Sequence, residues 1–351
     1  YNLEERVLTQ GRALWLYLQW LAIPDITQMG FFHDDIPVSR SFWSPVSTGI
    51  SVLAWVVLLA VCLTAYRKIP LLAFAVLFYL VGHSLESTVL PLELYFEHRN
   101  YLPSAGFAIL LATKLMQFAQ WTGSLRFAPV MSGVFVLLSV LLVLRAQAWS
   151  DEHSLARHNV INLPDSPRAN FYYALTLMEE FREVKASGGD PEREGALAVA
   201  TRSSFMRMYE LDQREIAGIV MLFQFDFQHF PAAAQRHDWL ALLESLAAER
   251  PLHASDLGVL RSLASFAKST GDPVVLSRVE AILRALWQRF PYRDTLVEDI
   301  YGIHLARGGD KHEMLPLLEK TLAANKRSTR AAAHLVGYHA RQDVPAAYDA
   351  L

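Results

Sequence analysis

The sequence predicts an all-α protein in two parts: a polytopic transmembrane helix bundle over residues 1–148, then an extracytoplasmic helical-repeat solenoid over 149–351. Three observations predict it. With 52% hydrophobic residues and a mean hydropathy of +0.19, the 351-residue chain is more apolar than a wholly soluble protein. Charge is unevenly shared: residues 1–150 carry 8 acidic and 9 basic side chains, and the other 50 of the 67 lie beyond. The second part is also cut by proline and glycine into short amphipathic stretches. A net charge of −3 offers no broad basic surface for a phosphate backbone, so nucleic acid is not an expected partner. Cys62 is the only cysteine, which excludes an intrachain disulfide framework and a Cys-rich zinc site.

About 20 apolar residues cross a bilayer core. Charge-free stretches at 41–66, 69–85, 100–113 and 127–144 place spans near 47–66, 70–90, 102–120 and 128–146. A fifth precedes them near 8–24, with Arg12 in its opening turn. By the positive-inside rule Arg67 and Lys68 mark a cytoplasmic turn, which puts Arg6, Arg12, Lys114 and Arg126 on the same side. The 25–46 loop, the 87–101 segment and everything after 146 then fall outside, with Arg40, Arg99 and Arg145 running against the bias. Tyr1 is not an initiator methionine and no leader pattern follows it, so an N-terminal portion is expected to precede it.

From Trp149 onward, breakers recur at Pro164, Gly188-Gly-Asp-Pro191, Pro231, Pro251, Gly271-Asp-Pro273, Pro291 and Gly308-Gly-Asp310. Between them, 169–182, 196–211 and 274–289 carry apolar residues at three- and four-residue spacing, each too short to bury its stripe alone. Gly302-Ile-His304 recurs as Gly337-Tyr-His339, 35 residues on, and the helix-ending Pro291 has its counterpart at Asn325. That is the tetratricopeptide period, and such arrays bind other polypeptides. The plainer alternative is a helical domain without repeats.

The densest polar cluster runs from Gly82-His-Ser-Leu-Glu-Ser-Thr88 to Pro91-Leu-Glu-Leu-Tyr-Phe-Glu-His-Arg-Asn-Tyr-Leu-Pro103. A charge at mid-bilayer costs about 2.5–3.5 kcal/mol, so Glu86 is expected to face a polar cavity. His83 shares its helix face. Pro91 ends that helix, and Glu93 and Glu97, flanking Leu94, Tyr95 and Phe96, read as an interfacial helix. The expected polar cavity comprises His83, Glu86, Glu93, Glu97, Asn100 and Tyr101. Arg99, with His98, precedes Pro103 in the first turn of the next helix, whose N-terminus attracts anions; a lipid-linked phosphate is the expected ligand. Equally open is a structural ion pair of Glu97 with Arg99. In the other outer loop, Asp34 and Asp35 are the candidate general base or divalent-cation ligands, with helix capping as the competing role. His229, His237, His304 and His312 lack zinc-site spacing and read as surface residues. No glycine-rich phosphate loop, nucleophile elbow or zincin motif is present.

Leu8-Thr-Gln10, His33-Asp-Asp-Ile-Pro-Val-Ser-Arg-Ser41, Glu86-Ser-Thr-Val-Leu-Pro-Leu-Glu93 and Phe96-Glu-His-Arg-Asn-Tyr-Leu-Pro-Ser104, followed by repeats, resemble bacterial relatives of the TMTC-type glycosyltransferases. The resemblance implies the C-terminal portion of a GT-C membrane enzyme of the bacterial inner membrane, its C-terminal domain in the periplasm. Such an enzyme moves sugar from a polyprenyl-phosphate donor to a protein acceptor. It implies Arg99 as the donor-phosphate ligand and places the family's catalytic acidic residue in a first outer loop preceding this chain, so no catalytic role passes to Asp34 or Asp35. The competing class is non-enzymatic: a membrane-anchored repeat scaffold or accessory subunit of an envelope or pilus assembly complex.

Overall fold

The computed structural model describes residues 2–28, 30–34, 36–84, 87, 93–122 and 124–340. Among them the chain is all-helical, with sixteen α-helices and no strand. It divides into two compact units, Tyr1–Thr176 and Leu177–Leu351. The division falls 28 residues beyond 148, the last residue of the sparsely charged part. The reason is local: the segment just after α5 is bonded to the loops of the first unit, as shown below.

The first unit opens with α1 (Leu3–Ala22), α2 (Val46–Ala65), α3 (Pro70–Ser84), α4 (Ala105–Thr122) and α5 (Ser124–Ala148). Helices α2 to α5 form where the charge-free stretches put helices, and α1 starts five residues before the expected 8–24. Two of them, α2 and the Phe127–Ala148 part of α5, are long and apolar enough to cross a membrane. Helix α3 is as apolar but has 15 residues, and α4 is diluted by Lys114, Gln117 and Gln120. Helix α1 carries Glu4, Glu5, Arg6 and Arg12 and buries Arg6, Thr9 and Gln10. Thr9 and Gln10 are satisfied by the chain, the Ser39 N–H donating to Thr9 Oγ1 at 2.9 Å and Gln10 Nε2 to the Leu94 carbonyl at 2.6 Å, and the Arg12 guanidinium donates to the Pro37 carbonyl at 2.7 Å. Helices α3 and α4 approach closely enough that a Cβ on Gly106 would stand 3.0 Å from the Ala75 Cα, so this crossing accepts only glycine without displacement.

The expected interfacial helix at 93–97 does not form. Glu93–Phe96 is non-helical, and a 3₁₀ turn covers Glu97–Asn100. Leu94 and Tyr95 are buried against Ala13 of α1, and the Phe96 N–H donates to the Tyr17 hydroxyl at 2.6 Å. Side chains of α1 thus replace the hydrogen bonds a helix would supply. Pro103 lies in the turn before α4 rather than within its first turn.

Beyond α5 come α6 (Glu152–Asn162) and α7 (Pro167–Ala186), whose last residues belong to the second unit. There follow α8 (Pro191–Leu211), α9 (Ile216–His229), α10 (Pro231–Arg236), α11 (Trp239–Glu249), α12 (Ala254–Thr270), α13 (Pro273–Arg289), α14 (Asp294–Ala306), α15 (Leu315–Ala324) and α16 (Thr329–His339). The breakers act by cap chemistry. At Gly271-Asp-Pro273, Gly271 takes the left-handed conformation (φ 64°) that ends α12, Asp272 accepts from the Val274 and Val275 N–H groups, and Pro273 opens α13. Helices pack on others one to three places along the chain: α12 on α9, α13 and α14, and α14 on α13, α15 and α16. Leu243, Leu260, Leu263, Ile282, Leu283 and Leu286 are fully buried there, each stabilising by roughly 1.5–3 kcal/mol. Helices α14 and α16 start 35 residues apart and α11 and α13 start 34 apart, but α12 and α14 start 40 apart, so the step is not uniform along the chain.

Of the four histidines read as surface residues, His237 and His312 are exposed and His229 is half-buried against Phe181 and Phe225. His304 is buried. Its Nδ1 lies 3.3 Å from Glu280 Oε1 and its Nε2 3.0 Å from the Asp310 carbonyl. Glu280, 3% exposed, is also held by Arg284 and Arg307. Sequence spacing misplaces His304 because its acidic partner stands a helix away.

Asp299, 6% exposed, is pushed up to about 6 by burial, against the pull of Arg261 at 3.7 Å. A carboxyl whose pKa rises on folding favours the fold below its unfolded value, and that contribution is lost as pH climbs through its folded value. Asp299→Asn is therefore expected to raise stability by about 2 kcal/mol at about pH 7.5 and to change it little below about pH 4. Chemical denaturation at the two pH values checks this; equal effects at both would show that burial of the charge is not the cause.

Candidate functional site

The 25–46 loop and the 93–101 segment, treated as separate candidates from sequence, meet at the C-terminal end of α1. His33 stacks on Trp20 with centroids 5.2 Å apart and meets Tyr95 at 6.1 Å, while Phe31 meets Phe96 edge-on at 5.7 Å. Between them lies a cavity of about 320 Å³. Its polar lining is His33, Glu97, His98, Asn100, Tyr101, Ser104 and Arg145, and Phe31, Tyr95, Phe96 and Trp149 form an aromatic wall. The last turn of α5 supplies Arg145.

Glu97 is the centre of this arrangement. Its Oε2 accepts from Arg145 Nη2 at 2.7 Å. Its Oε1 is buried, has no hydrogen-bond partner among the described residues, and lies 3.9 Å from His33 Nε2. Burial pushes the Glu97 carboxyl above the usual carboxylate range, opposed by the hydrogen bond and charge of Arg145. A carboxylate so placed takes up a proton more readily than an exposed one. Beside it, a guanidinium that is still one-third exposed can meet an anion.

Asn100 ties the cavity to the helices below. Its Oδ1 is 3.4 Å from His83 Nε2, and its Nδ2 donates to the Tyr17 carbonyl at 3.4 Å. His83, 2% exposed, stacks on Tyr17 and meets Tyr79 edge-on. Of the expected polar set, His83, Glu97, Asn100 and Tyr101 are thus gathered in or next to one cavity, together with His98.

Other expectations are placed differently. Glu97 pairs with Arg145, not with Arg99. The Arg99 guanidinium donates to the Glu93 carbonyl at 2.5 Å, lies 5.2 Å over the Phe96 ring, and is not among the cavity residues. Glu93 is held by both terminal nitrogens of Arg168, at 3.1 and 3.2 Å. Asp34 accepts from Ser166 Oγ at 2.5 Å and lies 3.6 Å from Arg168. These two carboxylates fasten the loops to the start of α7, and the Phe31 N–H on Asn159 Oδ1 and His158 on the Ile26 carbonyl fasten them to α6. Asp35 and Glu86 lie outside the described residues. Among the described residues no three His, Cys, Asp or Glu side chains are grouped to hold a metal ion.

Sequence reasoning missed Arg145 and His33 as members of the site. Arg145 had one signal, a cation kept at the end of a charge-free helix against the positive-inside bias. His33 had only its place in the loop motif His33–Ser41, because positions 33, 97 and 145 come together only through the fold.

No protein-family model and no curated protein matches the chain.

Proposed function

We propose that the chain is the later part of a GT-C-type membrane glycosyltransferase, similar to the bacterial relatives of the TMTC type. In this reading α1–α5 form a multi-pass bundle in the bacterial inner membrane. The following helices form a tetratricopeptide-like solenoid in the periplasm. The cavity at Glu97 takes the phosphate and sugar of a polyprenyl-phosphate donor, and a protein segment is the acceptor. The observation that carries this is the pairing of Arg145 with a buried, half-unpartnered Glu97 beside an aromatic wall, at the end of a helix apolar enough to span a membrane.

The chemistry divides between these side chains. In a departure from the family expectation of an acidic base in a preceding loop, a Ser or Thr hydroxyl of the acceptor gives its proton to the Glu97 carboxylate while its oxygen attacks the anomeric carbon. The bond from that carbon to the phosphate oxygen breaks with its electron pair, and Arg145 stabilises the departing polyprenyl phosphate. The aromatic rings offer stacking faces for the sugar. Arg99 keeps only a supporting place, orienting the 93–100 segment. A divalent cation bound at the donor phosphate is compatible with the family reading, but no described residues form a site for one.

A second reading, a membrane-anchored scaffold or accessory subunit, draws on the loop carboxylates Asp34 and Glu93, which serve structure by holding Ser166 and Arg168. Membrane vesicles carrying the full-length protein and a radiolabelled polyprenyl-phosphate sugar separate the two. Sugar transfer to protein that falls about 100-fold or more in Glu97→Gln supports the enzyme; transfer indifferent to that substitution removes Glu97 from the chemistry, and absent transfer with a stably co-purifying protein favours the scaffold.

A further inference from the structure

We propose that the cleft between α14, α16 and the 3₁₀ turn Lys311–Met314 is a binding site for an uncharged sugar. The cleft measures about 520 Å³, within the roughly 300–1,000 Å³ of small-molecule sites. Four of its lining residues are rings: Tyr301 of α14, His312 of the turn, and His334 and Tyr338 of α16. The rings are paired. Tyr301 and His334 overlap with centroids 4.2 Å apart, and His312 Nδ1 lies 2.8 Å from the Tyr338 hydroxyl. His334 and Tyr338 stand one turn apart on α16, so one pair joins that helix to α14 and the other joins it to the turn. Ala333 and Gly337 complete the α16 side and are exposed, and a Cβ on Gly337 would meet nothing within 4 Å. Gly337 and Tyr338 belong to the Gly337-Tyr-His339 motif, of which the glycosyl-transfer reading makes no use. The earlier copy, Gly302-Ile-His304, is closed: a Cβ on Gly302 would stand 3.2 Å from Lys268 Nζ, and Ile303 is fully buried. An open cleft with a ring beside the glycine is therefore particular to the second copy.

The occupant follows from this lining. A pyranose has a face of C–H groups and a rim of hydroxyls that both donate and accept. Aromatic faces suit the first, and phenolic hydroxyls and imidazole nitrogens at the ring edges suit the second. A wholly apolar ligand would cover those polar edges without giving them partners. Charge argues against an ionic one. Lys311 and Asp310 are the only Lys, Arg, Asp or Glu among the described lining residues, one of each sign, and Asp310 Oδ1 already accepts from the His312 N–H at 3.0 Å. Burial lowers the His334 imidazole below its usual value against the pull of the Glu298 carboxylate, so it adds no charge at neutral pH. The inference stands on the lining alone and requires no sugar transfer at Glu97.

The test uses the full chain in lipid nanodiscs with maltotriose, mannotriose and chitotriose as probes, detected by saturation-transfer NMR and measured by titration calorimetry. Saturable binding of at least one of them is expected. Ala333→Trp, which fills the cleft from an exposed position, and Tyr301→Ala are each expected to weaken it by about tenfold or more. Circular dichroism reports that both stay folded, and Glu319→Trp on α15 is the control that leaves binding unchanged. Lys311→Gln is expected to change the affinity by less than about threefold, since the ligand carries no charge for it to meet. No saturable binding, tighter binding of adenosine than of any trisaccharide, a strong preference for glucose 6-phosphate over glucose, or indifference to Ala333→Trp would each overturn the proposal. Loss of binding in Glu97→Gln would place the sugar in the other cavity and overturn it as well. Binding that survives while sugar transfer is absent would count against the glycosyl-transfer reading and leave this one standing.

Discussion

Replacing Asp226 by alanine is expected to lower the stability of the second unit by about 3 kcal/mol. Asp226 is 0% exposed and accepts three bonds: from Arg202 Nε at 2.6 Å, from Arg202 Nη2 at 3.0 Å, and from the indole N–H of buried Trp239 at 3.0 Å. The aspartate therefore joins α8, α9 and α11 at one point. Removing it leaves a cation and an indole donor without their acceptor, and breaking a buried pair from one side costs about 3–5 kcal/mol. The lower end applies because the Arg202 side chain is 21% exposed and regains water. Glu179→Ala, which removes a surface pair with Arg182, is expected to change stability by no more than about 0.5 kcal/mol. Urea denaturation of both variants gives the comparison; similar small effects would show that the Asp226 junction does not organise the three helices.

Arg145→Ala is expected to cost about 100-fold or more in sugar transfer, and Arg99→Ala less than tenfold. The contrast follows from where the two guanidiniums are. Arg145 lines the cavity and holds Glu97, so its loss removes both the cation proposed to face the leaving phosphate and the group that lowers the Glu97 carboxyl. Arg99 is occupied by the Glu93 carbonyl and the Phe96 ring. Arg145→Lys retains a point charge but not a planar fork, so partial recovery is expected. The pH–rate profile adds a second readout. Without Arg145 the attraction that lowers the Glu97 carboxyl is gone, so the limb that reports its ionisation shifts to higher pH. Rates that fall equally in Arg145→Ala and Arg99→Ala would instead restore Arg99 as a phosphate ligand.

Much of the helical architecture was legible in the sequence, because it is written in local chemistry. Gly271-Asp-Pro273 carries a left-handed glycine, a capping carboxylate and an N1 proline in three consecutive positions, and the structure uses all three. The charge-free stretches located α2 and α5 for the same reason, since exclusion of charge is a property of a segment by itself. The 93–97 segment was misread because its apolar residues fit a helix in isolation, whereas Gln10 and Tyr17 of α1 claim its backbone. Glu97, Asn100 and Tyr101 could be nominated from an unusual polar run. Their partners could not: Arg145 reads as a helix end and His33 as a loop residue until α1 and α5 bring them to one cavity. Asp34 and Glu93 show the converse, for a carboxylate that looks free in sequence is engaged once α7 supplies Ser166 and Arg168.

The most direct measurement compares binding of a polyprenyl phosphate and the matching polyprenol to the chain in nanodiscs. The phosphate is expected to bind at least tenfold more tightly, and that margin is expected to vanish in Arg145→Ala while persisting in Arg99→Ala. Equal affinity for phosphate and alcohol, or a margin untouched by Arg145→Ala, would contradict a phosphate site beside Glu97.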